Sequence, residues 1–416
     1  MTFKLDIKKF LFLILCCLNF YSVIFEDFKI IGYIFYYVVP FCFLLLNYKI
    51  IIDILKRIIN NGLYKYIICC VLLGILSIVI PIIYGTQDFS YFSIRIMQIV
   101  KETIKMIFLL VYFIKYISKD YDYKSFMKYF IISTCIYVSF TMLTIIFPAI
   151  REFIINHLET SEITNRLFNQ ENYFTRFGWA GFSGFTFTLK ASLSVAFSLY
   201  LILIEQKQNF FRNCLFLLVS FLGNFFYGRI GLVVSGILIL ISLFYLYKKN
   251  KSLAKKVIIY LTVLFIVMVL FALCNKRVQM WFEWAFQSIL NFIATGSFST
   301  SSTDVLKNMY ILPSFKTFCF GDGYYSIGDL YYMNIDVGLL RPIYFGGIIF
   351  QILRYYTIYI LFNKIYNSKI LYKNYLIICL TILFVIFELK GESIFPIVSI
   401  LFVITILLNT NEETND

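Results

Sequence analysis

The chain has 416 residues, of which 61% are hydrophobic and 14% are charged, and its mean hydropathy is +0.83. Soluble domains are only about half apolar, so this composition excludes an ordinary soluble protein and indicates a polytopic membrane protein. The formal net charge of +14 does not indicate nucleic-acid binding, because Lys and Arg lie in short clusters between apolar runs, as topology signals do.

Twelve apolar runs of about membrane-spanning length follow one another along the sequence. We therefore predict an all-α integral membrane protein in which residues 1–416 form a single membrane domain. The first run follows Lys8 and Lys9 as in a signal peptide, but no small-residue cleavage site comes after it, so we expect it to remain as a span. The predicted spans are 8–25, 30–47, 66–84, 98–117, 129–148, 186–205, 213–227, 230–247, 257–274, 341–362, 375–389 and 393–409.

The loops between these runs differ in charge. Lys and Arg are concentrated in the loops on the same side as the N-terminus, which by the positive-inside rule places both termini in the cytoplasm. Two segments on the other side, 149–185 and 275–340, are much longer than the remaining loops, and we predict that they are extracytoplasmic. Long loops held by a rigid bundle commonly carry function. No internal repeat of the kind found in many transporters is evident.

A very short connection separates the seventh and eighth runs. It reads YGRIG, residues 227–231, and predicts a tight helical hairpin in which Gly228 and Gly231 allow close backbone approach. An arginine at this depth is costly to insert, so Arg229 is a functional candidate, although its side chain could also snorkel to lipid headgroups. We assign a catalytic role to Arg229 and a substrate-binding role to Tyr227.

The stretch TRFGWAGFSGF, residues 175–185, places three glycines beside four aromatic side chains. One interpretation is a re-entrant turn whose rings stack on sugars, with Arg176 binding phosphate. The alternative is a helix whose small residues pack against a neighbour. We predict that Arg176 and Trp179 bind substrate, together with Arg277 at the start of the second long segment.

Asp336 and Arg341 lie five residues apart where the chain enters the tenth run, and Pro342 suits the first turn of a helix there. We predict that both are catalytic. The alternative is a local ion pair, which would be worth less than about 1 kcal/mol if it were exposed.

Arginine suits a phosphate site because its planar guanidinium matches phosphate oxygens and stays charged. If Arg176, Arg229 and Arg341 converge, they would bind a diphosphate and stabilise it as a leaving group. An acceptor hydroxyl would still need a general base, for which Asp336 is the first candidate, before Glu171 and His157. We predict neither a metal nor another cofactor, because the ten cysteines and one histidine form no metal-binding spacing and no dense acidic cluster lies in the outer segments.

The layout resembles the Wzy-type polysaccharide polymerases, which include the O-antigen polymerases. The resemblance covers most of the chain and rests on the twelve runs, the FYGRIG hairpin (226–231), the long segment after the ninth run, and DVGLLRPIYFGG (336–347). It implies metal-independent, inverting glycosyl transfer at the outer face of the bacterial cytoplasmic membrane. The growing chain would pass from undecaprenyl diphosphate onto the next lipid-linked repeat unit, in contact with membrane lipid and with a chain-length regulator as an optional partner.

The resemblance also implies that Arg176, Arg229 and Arg341 contact the lipid-linked glycan. The spaced Arg and Gly pattern of some members is not reproduced after Arg176, because Phe187 occupies the eleventh position beyond it.

Two other functions stay open. The related O-antigen ligases have a similar topology and usually carry a histidine in a recognisable setting in an outer loop. The one histidine here, His157, lies in the first of the two long outer segments, so we rank a ligase second. A flippase or transporter of lipid-linked sugars would need intramembrane charges, such as Lys190 and Arg354, to line one cavity.

Overall fold

The computed structural model describes residues 6–118, 121–158, 177–178, 181–182, 184–205, 209–274, 276–328 and 330–408. These residues are almost entirely helical, and two antiparallel hairpins with two-residue strands supply the sheet among them. Seven of the described helices are long and apolar enough to cross a membrane. The chain is therefore an all-α protein with the composition of a membrane-spanning bundle.

A helix covers most of each of the twelve apolar runs. The second helical segment begins with a 3-10 turn, Glu26–Phe28, and contains a π-helical turn, Ile34–Val38. The helices are α1 (Ile7–Tyr21), α2 (Glu26–Leu46), α3 (Tyr48–Asn60), α4 (Tyr64–Tyr84), α5 (Met97–Tyr116), α6 (Tyr123–Ile146), α7 (Pro148–His157), α8 (Phe185–Glu205), α9 (Phe210–Tyr227), α10 (Arg229–Lys249), α11 (Lys251–Cys274), α12 (Lys276–Thr295), α13 (Ser301–Asn308), α14 (Phe315–Phe320), α15 (Arg341–Asn367), α16 (Lys373–Glu388) and α17 (Ile394–Leu407). The strands are β1 (Phe177–Gly178), β2 (Gly181–Phe182), β3 (Ser326–Ile327) and β4 (Leu330–Tyr331).

The predicted loop 275–340 contains much regular structure. Its first part is the 20-residue helix α12, followed by α13, α14 and the β3–β4 hairpin. Trp281 and Ala285, four residues apart and therefore on one helical face, are buried. Trp281 therefore packs on the buried side of an amphipathic helix.

The contacts divide the chain into two compact units that alternate along the sequence. Unit 1 comprises Met1–Val39, Lys124–Thr300 and Ile378–Leu383, and unit 2 comprises Pro40–Tyr123, Ser301–Ile377 and Phe384–Asp416. The single membrane domain stays a prediction.

Unit 1 is built around α8, in which Thr188–Leu203 is buried throughout. Small polar side chains allow α9 to pack closely on it: Ser194 Oγ lies 2.7 Å from Ser220 Oγ, and Ser192 Oγ donates to Asn224 Oδ1 at 3.0 Å. Asn224 in turn donates to Ser235 Oγ of α10 at 2.7 Å. Hydrogen bonds of this kind join apolar helices where burial alone does not select partners.

In unit 2, α15 packs against α4, α14 and α17. Gly347 interrupts α15 at φ 74°, in the left-handed region that favours glycine, and a Cβ there would lie 2.3 Å from the Cys319 carbonyl oxygen. The turn after α14 is bonded to α15, because the backbone N–H groups of Asp322 and Gly323 donate to the carbonyls of Tyr344 and Phe345. These contacts fix the hairpin beside the start of α15.

Candidate functional site

Five charged side chains form a buried cluster in unit 2. Arg95 comes from the π-helical turn Tyr91–Ile96 before α5, and Arg341 and Arg354 come from the first half of α15. Glu388 ends α16, and Glu392 lies in the connection to α17. Four chain segments thus bring three guanidinium groups and two carboxylates together, and in an apolar interior such charges persist only when they are paired.

Glu392 is the ion-pair partner that Arg95 and Arg341 share. Its side chain has no exposed surface, and its Oε1 accepts a hydrogen bond from the Tyr325 hydroxyl at 2.8 Å. Arg95 Nε lies 3.1 Å from Oε2 without the alignment of a hydrogen bond, and Arg341 Nη1 lies 3.6 Å from Oε1. Burial alone would raise the pKa of Glu392, but the attraction of Arg95 and then of Arg341 and Arg354 lowers it. Glu392 is therefore a stable carboxylate that holds two arginines.

Arg341 is paired on one side of its guanidinium group and, within the described part of the chain, lacks hydrogen-bond partners on the other. Its Nη1 lies 3.2 Å from Asp336 Oδ1, and its guanidinium carbon lies 3.5 Å from the centre of the Tyr331 ring and 4.2 Å from that of Tyr325. Its Nε and Nη2 atoms are buried and have no hydrogen-bond partner among the described residues. These two atoms form the edge through which arginine binds an oxyanion with two parallel hydrogen bonds.

Asp336 lies at the rim of the cluster, with half of its side chain exposed. Partial burial raises its pKa above the ordinary value, and Arg341 opposes that rise. The ion pair that the sequence left as the alternative interpretation of these two residues is present, and their catalytic role stays a prediction. Asp336 is therefore the carboxylate of this site that a ligand can reach, whereas its partner Arg341 is buried.

Arg354 ties the turn that precedes α15 to the end of α16. Its Nη2 lies 2.9 and 3.0 Å from the two carboxylate oxygens of Glu388, and its Nη1 donates to the Gly338 carbonyl at 3.1 Å. Glu388 Oε1 also accepts hydrogen bonds from the backbone N–H and the hydroxyl of Ser393. A Cβ on Gly338 would lie 2.4 Å from the Gly391 carbonyl oxygen, so the turn lies directly against this connection. Arg354 therefore positions the segment that carries Asp336 and Arg341.

The tight hairpin predicted around Arg229 is present in unit 1. A single residue, Gly228, separates α9 from α10, and a Cβ on it would lie 2.7 Å from Thr188 Oγ1. The Arg229 guanidinium carbon lies 4.9 Å from the centre of the Trp284 ring of α12. Tyr227 is 1% exposed, and its hydroxyl lies 2.8 Å from Thr141 Oγ1. The ring of Tyr227 thus packs behind the hairpin, whereas Arg229 is partly exposed.

The other predicted residues are less closely defined. Arg176, Trp179 and Glu171 lie outside the described residues, and Arg277 is in α12, whose side chain at this position is not described. His157 is partly exposed, with its Nε2 atom 3.9 Å from Asp27 Oδ2. Convergence of the three predicted arginines stays a prediction.

Lys190 and Arg354, two of the five intramembrane charges (with Lys101, Glu102 and Lys105) that a transporter would use, belong to different units. Arg354 is paired with Glu388 in unit 2. Lys190 lies in unit 1, where its ammonium group donates to the Phe20 carbonyl and lies 5.5 Å from the centre of the Tyr21 ring. Both charges therefore have partners within their own unit.

Sequence reasoning missed Arg95, Glu388 and Glu392 as site residues, and it missed Tyr325 and Tyr331. A signal was present, because SIRIMQ and ELKGES place charges directly beside apolar runs. Such charges are costly in hydrocarbon unless they are paired. Arg95 and Glu392, however, are nearly three hundred positions apart, and Glu388 is paired with Arg354 of a different helix.

Among the described residues, no group of three or more His, Cys, Asp or Glu side chains is arranged to hold a metal ion. A scan against protein-family models found no match to this chain, and searches of curated proteins and of solved structures found none either.

Proposed function

We propose that the protein is a membrane glycosyltransferase of the polysaccharide-polymerase type in the bacterial cytoplasmic membrane. In this proposal twelve helices span the membrane, both termini are cytoplasmic, and segments 149–185 and 275–340 face the outside. The enzyme transfers a growing glycan from undecaprenyl diphosphate onto a lipid-linked repeat unit. The observation that carries the proposal is the Nε–Nη2 edge of Arg341, which has no hydrogen-bond partner among the described residues and lies beside the half-exposed carboxylate of Asp336.

Arg341 is proposed to bind the diphosphate of the donor. A buried donor atom without a partner costs roughly 1–3 kcal/mol, so an oxyanion that accepts from both Nε and Nη2 would relieve two such costs at once. Glu392 and Asp336 hold the opposite nitrogen, Nη1, and Tyr331 covers one face of the guanidinium. The edge is therefore fixed in direction before a ligand arrives, which is the preorganisation that stabilises a leaving group.

Asp336 is proposed as the general base. The acceptor hydroxyl oxygen attacks the anomeric carbon of the donor sugar and forms the new glycosidic bond. The bond from that carbon to the diphosphate oxygen breaks, undecaprenyl diphosphate leaves with the bonding electrons, and the hydroxyl proton passes to the Asp336 carboxylate. A raised pKa suits this role, because a base is most effective when its pKa approaches the working pH.

The other predicted contacts with the lipid-linked glycan stay part of the proposal. They are Arg229, which is partly exposed at the α9–α10 hairpin, and Arg176, Trp179 and Arg277. Tyr227 is buried beneath the hairpin and would act by holding the Arg229 backbone in place.

The proposal is tested by gel analysis of lipid-linked glycans from a deletion strain complemented with variants. We expect wild type to restore long chains, whereas Arg341→Ala leaves single repeats and is still inserted in the membrane. The matched control is Arg212→Ala, which removes an arginine that is 44% exposed and paired with Glu205; it should restore long chains. In the uncomplemented deletion strain, unattached long chains would indicate a ligase instead, and repeat units retained on the inner leaflet would indicate a flippase.

A further inference from the structure

Helix α3 (Tyr48–Asn60) in unit 2 has three distinct faces and plays no part in the proposed reaction. Ile54 and Ile58 are buried where the helix packs on α5 and α17. A second face exposes between 44% and 61% of each of four large apolar residues: Tyr48, Ile52, Leu55 and Ile59. The third face carries charged residues: Lys49, Asp53, Lys56 and Arg57.

This arrangement fits neither a membrane span nor a helix in water. The apolar positions follow one another at intervals of four, three and four residues, so they form a continuous stripe along the helix. A helix of 13 residues is too short to cross the hydrocarbon core, and its four charged residues would be costly there. A stripe facing water would leave four large side chains unprotected. A helix that lies in the plane of the membrane interface satisfies both faces.

Basic side chains from two other segments of unit 2 lie at the ends of α3. Lys115, at the end of α5, donates to Asn47 Oδ1 at 2.6 Å just before α3 begins. Lys364, near the end of α15, donates to Asn61 Oδ1 at 2.8 Å just after α3 ends. The Arg57 guanidinium carbon lies 3.3 Å from the centre of the Tyr121 ring. Together with Lys49 and Lys56 of the helix itself, these residues make a predominantly basic surface.

We propose that this α3 surface, formed by α3 with Lys115 and Lys364, binds the anionic headgroups of phospholipids while the Tyr48–Ile59 stripe enters the acyl-chain boundary. Anionic lipids attract each lysine or arginine held near the bilayer surface. The proposal is independent of the glycosyltransferase function. It agrees with the predicted cytoplasmic location of this segment. The lysines and arginines that the positive-inside rule assigns to the cytoplasm are the same charges that an anionic leaflet attracts.

The test of the headgroup contacts is lipid-dependent thermal stability of the purified full-length protein in neutral detergent. We expect phosphatidylglycerol to raise the melting temperature at lower lipid concentration than phosphatidylcholine. The double variant Lys49→Gln, Lys56→Gln should need much more phosphatidylglycerol, by roughly fivefold for each charge removed. The control Lys307→Gln, Lys316→Gln removes two exposed lysines elsewhere in unit 2 and should respond as wild type does. Equal effects of the two lipids, or an equal loss in the control, would overturn the proposal.

The depth of the apolar stripe is tested in vesicles that contain brominated acyl chains. Ile59→Trp should add fluorescence that the bromines quench, above the signal of the three native tryptophans, whereas Asn60→Trp on the charged face should add fluorescence that they do not quench. Equal quenching at the two adjacent positions would show that the stripe does not enter the bilayer.

Discussion

The buried carboxylate of Glu392 offers the most direct test of the charged cluster. Glu392→Gln keeps the shape of the side chain and its ability to accept from the Tyr325 hydroxyl, but it removes the charge that faces Arg95 at 3.1 Å and Arg341 at 3.6 Å. Removing one partner of a buried ion pair costs about 3–5 kcal/mol, because the remaining charge stays buried without compensation. We therefore expect a loss of about 3 kcal/mol or more in the free energy of unfolding.

The assay is equilibrium unfolding of the purified protein in mixed micelles, with Asp304→Asn as the control. Asp304 belongs to the same unit and pairs with Lys307 at 3.8 Å, but both side chains are more than half exposed. Loss of that pair should cost less than about 1 kcal/mol. If Glu392→Gln unfolds at the same denaturant concentration as wild type, Glu392 does not hold the two arginines.

The same variant should change the pH dependence of stability. The pKa of Glu392 is lower in the folded protein than in the unfolded chain, where a glutamate titrates near about 4.3. Its contribution is therefore fully present above the unfolded pKa and is lost as pH falls through the lower folded pKa. Wild type should lose this contribution in acid, whereas Glu392→Gln has none to lose.

Three further predictions concern other parts of the fold. Gly231→Ala should destabilise the hairpin by about 1–3 kcal/mol, because the added Cβ would lie 2.3 Å from Asn224 Oδ1; the yield of folded protein in detergent measures the loss. The single variant Arg354→Leu should have a lower melting temperature than the double variant Arg354→Leu, Glu388→Leu, because the single change leaves a buried carboxylate unpaired. Arg229→Ala should abolish glycan chains longer than one repeat while the protein stays inserted, and long chains on the gel would exclude a catalytic role for Arg229.

The helices were predictable because hydrophobic runs and turn residues act locally. A helix covers most of each of the twelve runs, and Gly228 joins two of them as the glycine-rich sequence indicated. Helix α12 was missed because its apolar residues form a stripe on one face and no continuous run, so length and hydropathy alone left it within a loop.

The candidate site was predictable only where it is local in sequence. Asp336 and Arg341 are five residues apart, and their ion pair follows from that spacing. Arg95 and Glu392 are separated by nearly three hundred residues, and apolar runs of similar composition do not specify which of them become neighbours. Only the packing of the helices in unit 2 therefore identifies the partner of each buried charge.

The contact between Asp336 and Arg341 has a consequence for the proposed reaction. Arg341 lowers the pKa of Asp336 by attraction, in opposition to burial. A diphosphate bonded to the Nε–Nη2 edge would partly neutralise Arg341, so donor binding should raise the pKa of Asp336 and make it a stronger base. The rate falls in acid as the base is protonated. Because kcat/KM reports the free enzyme and kcat the donor complex, the acid limb of kcat should lie at higher pH than that of kcat/KM.

Asp336→Asn is the matching variant. It should lower the rate by about 10²–10⁴-fold and remove the acid limb from both profiles, while donor binding through Arg341 persists. Coincident limbs in wild type would refute the coupling and leave Asp336 as the base. An acid limb that survives in Asp336→Asn would instead exclude Asp336 as the base.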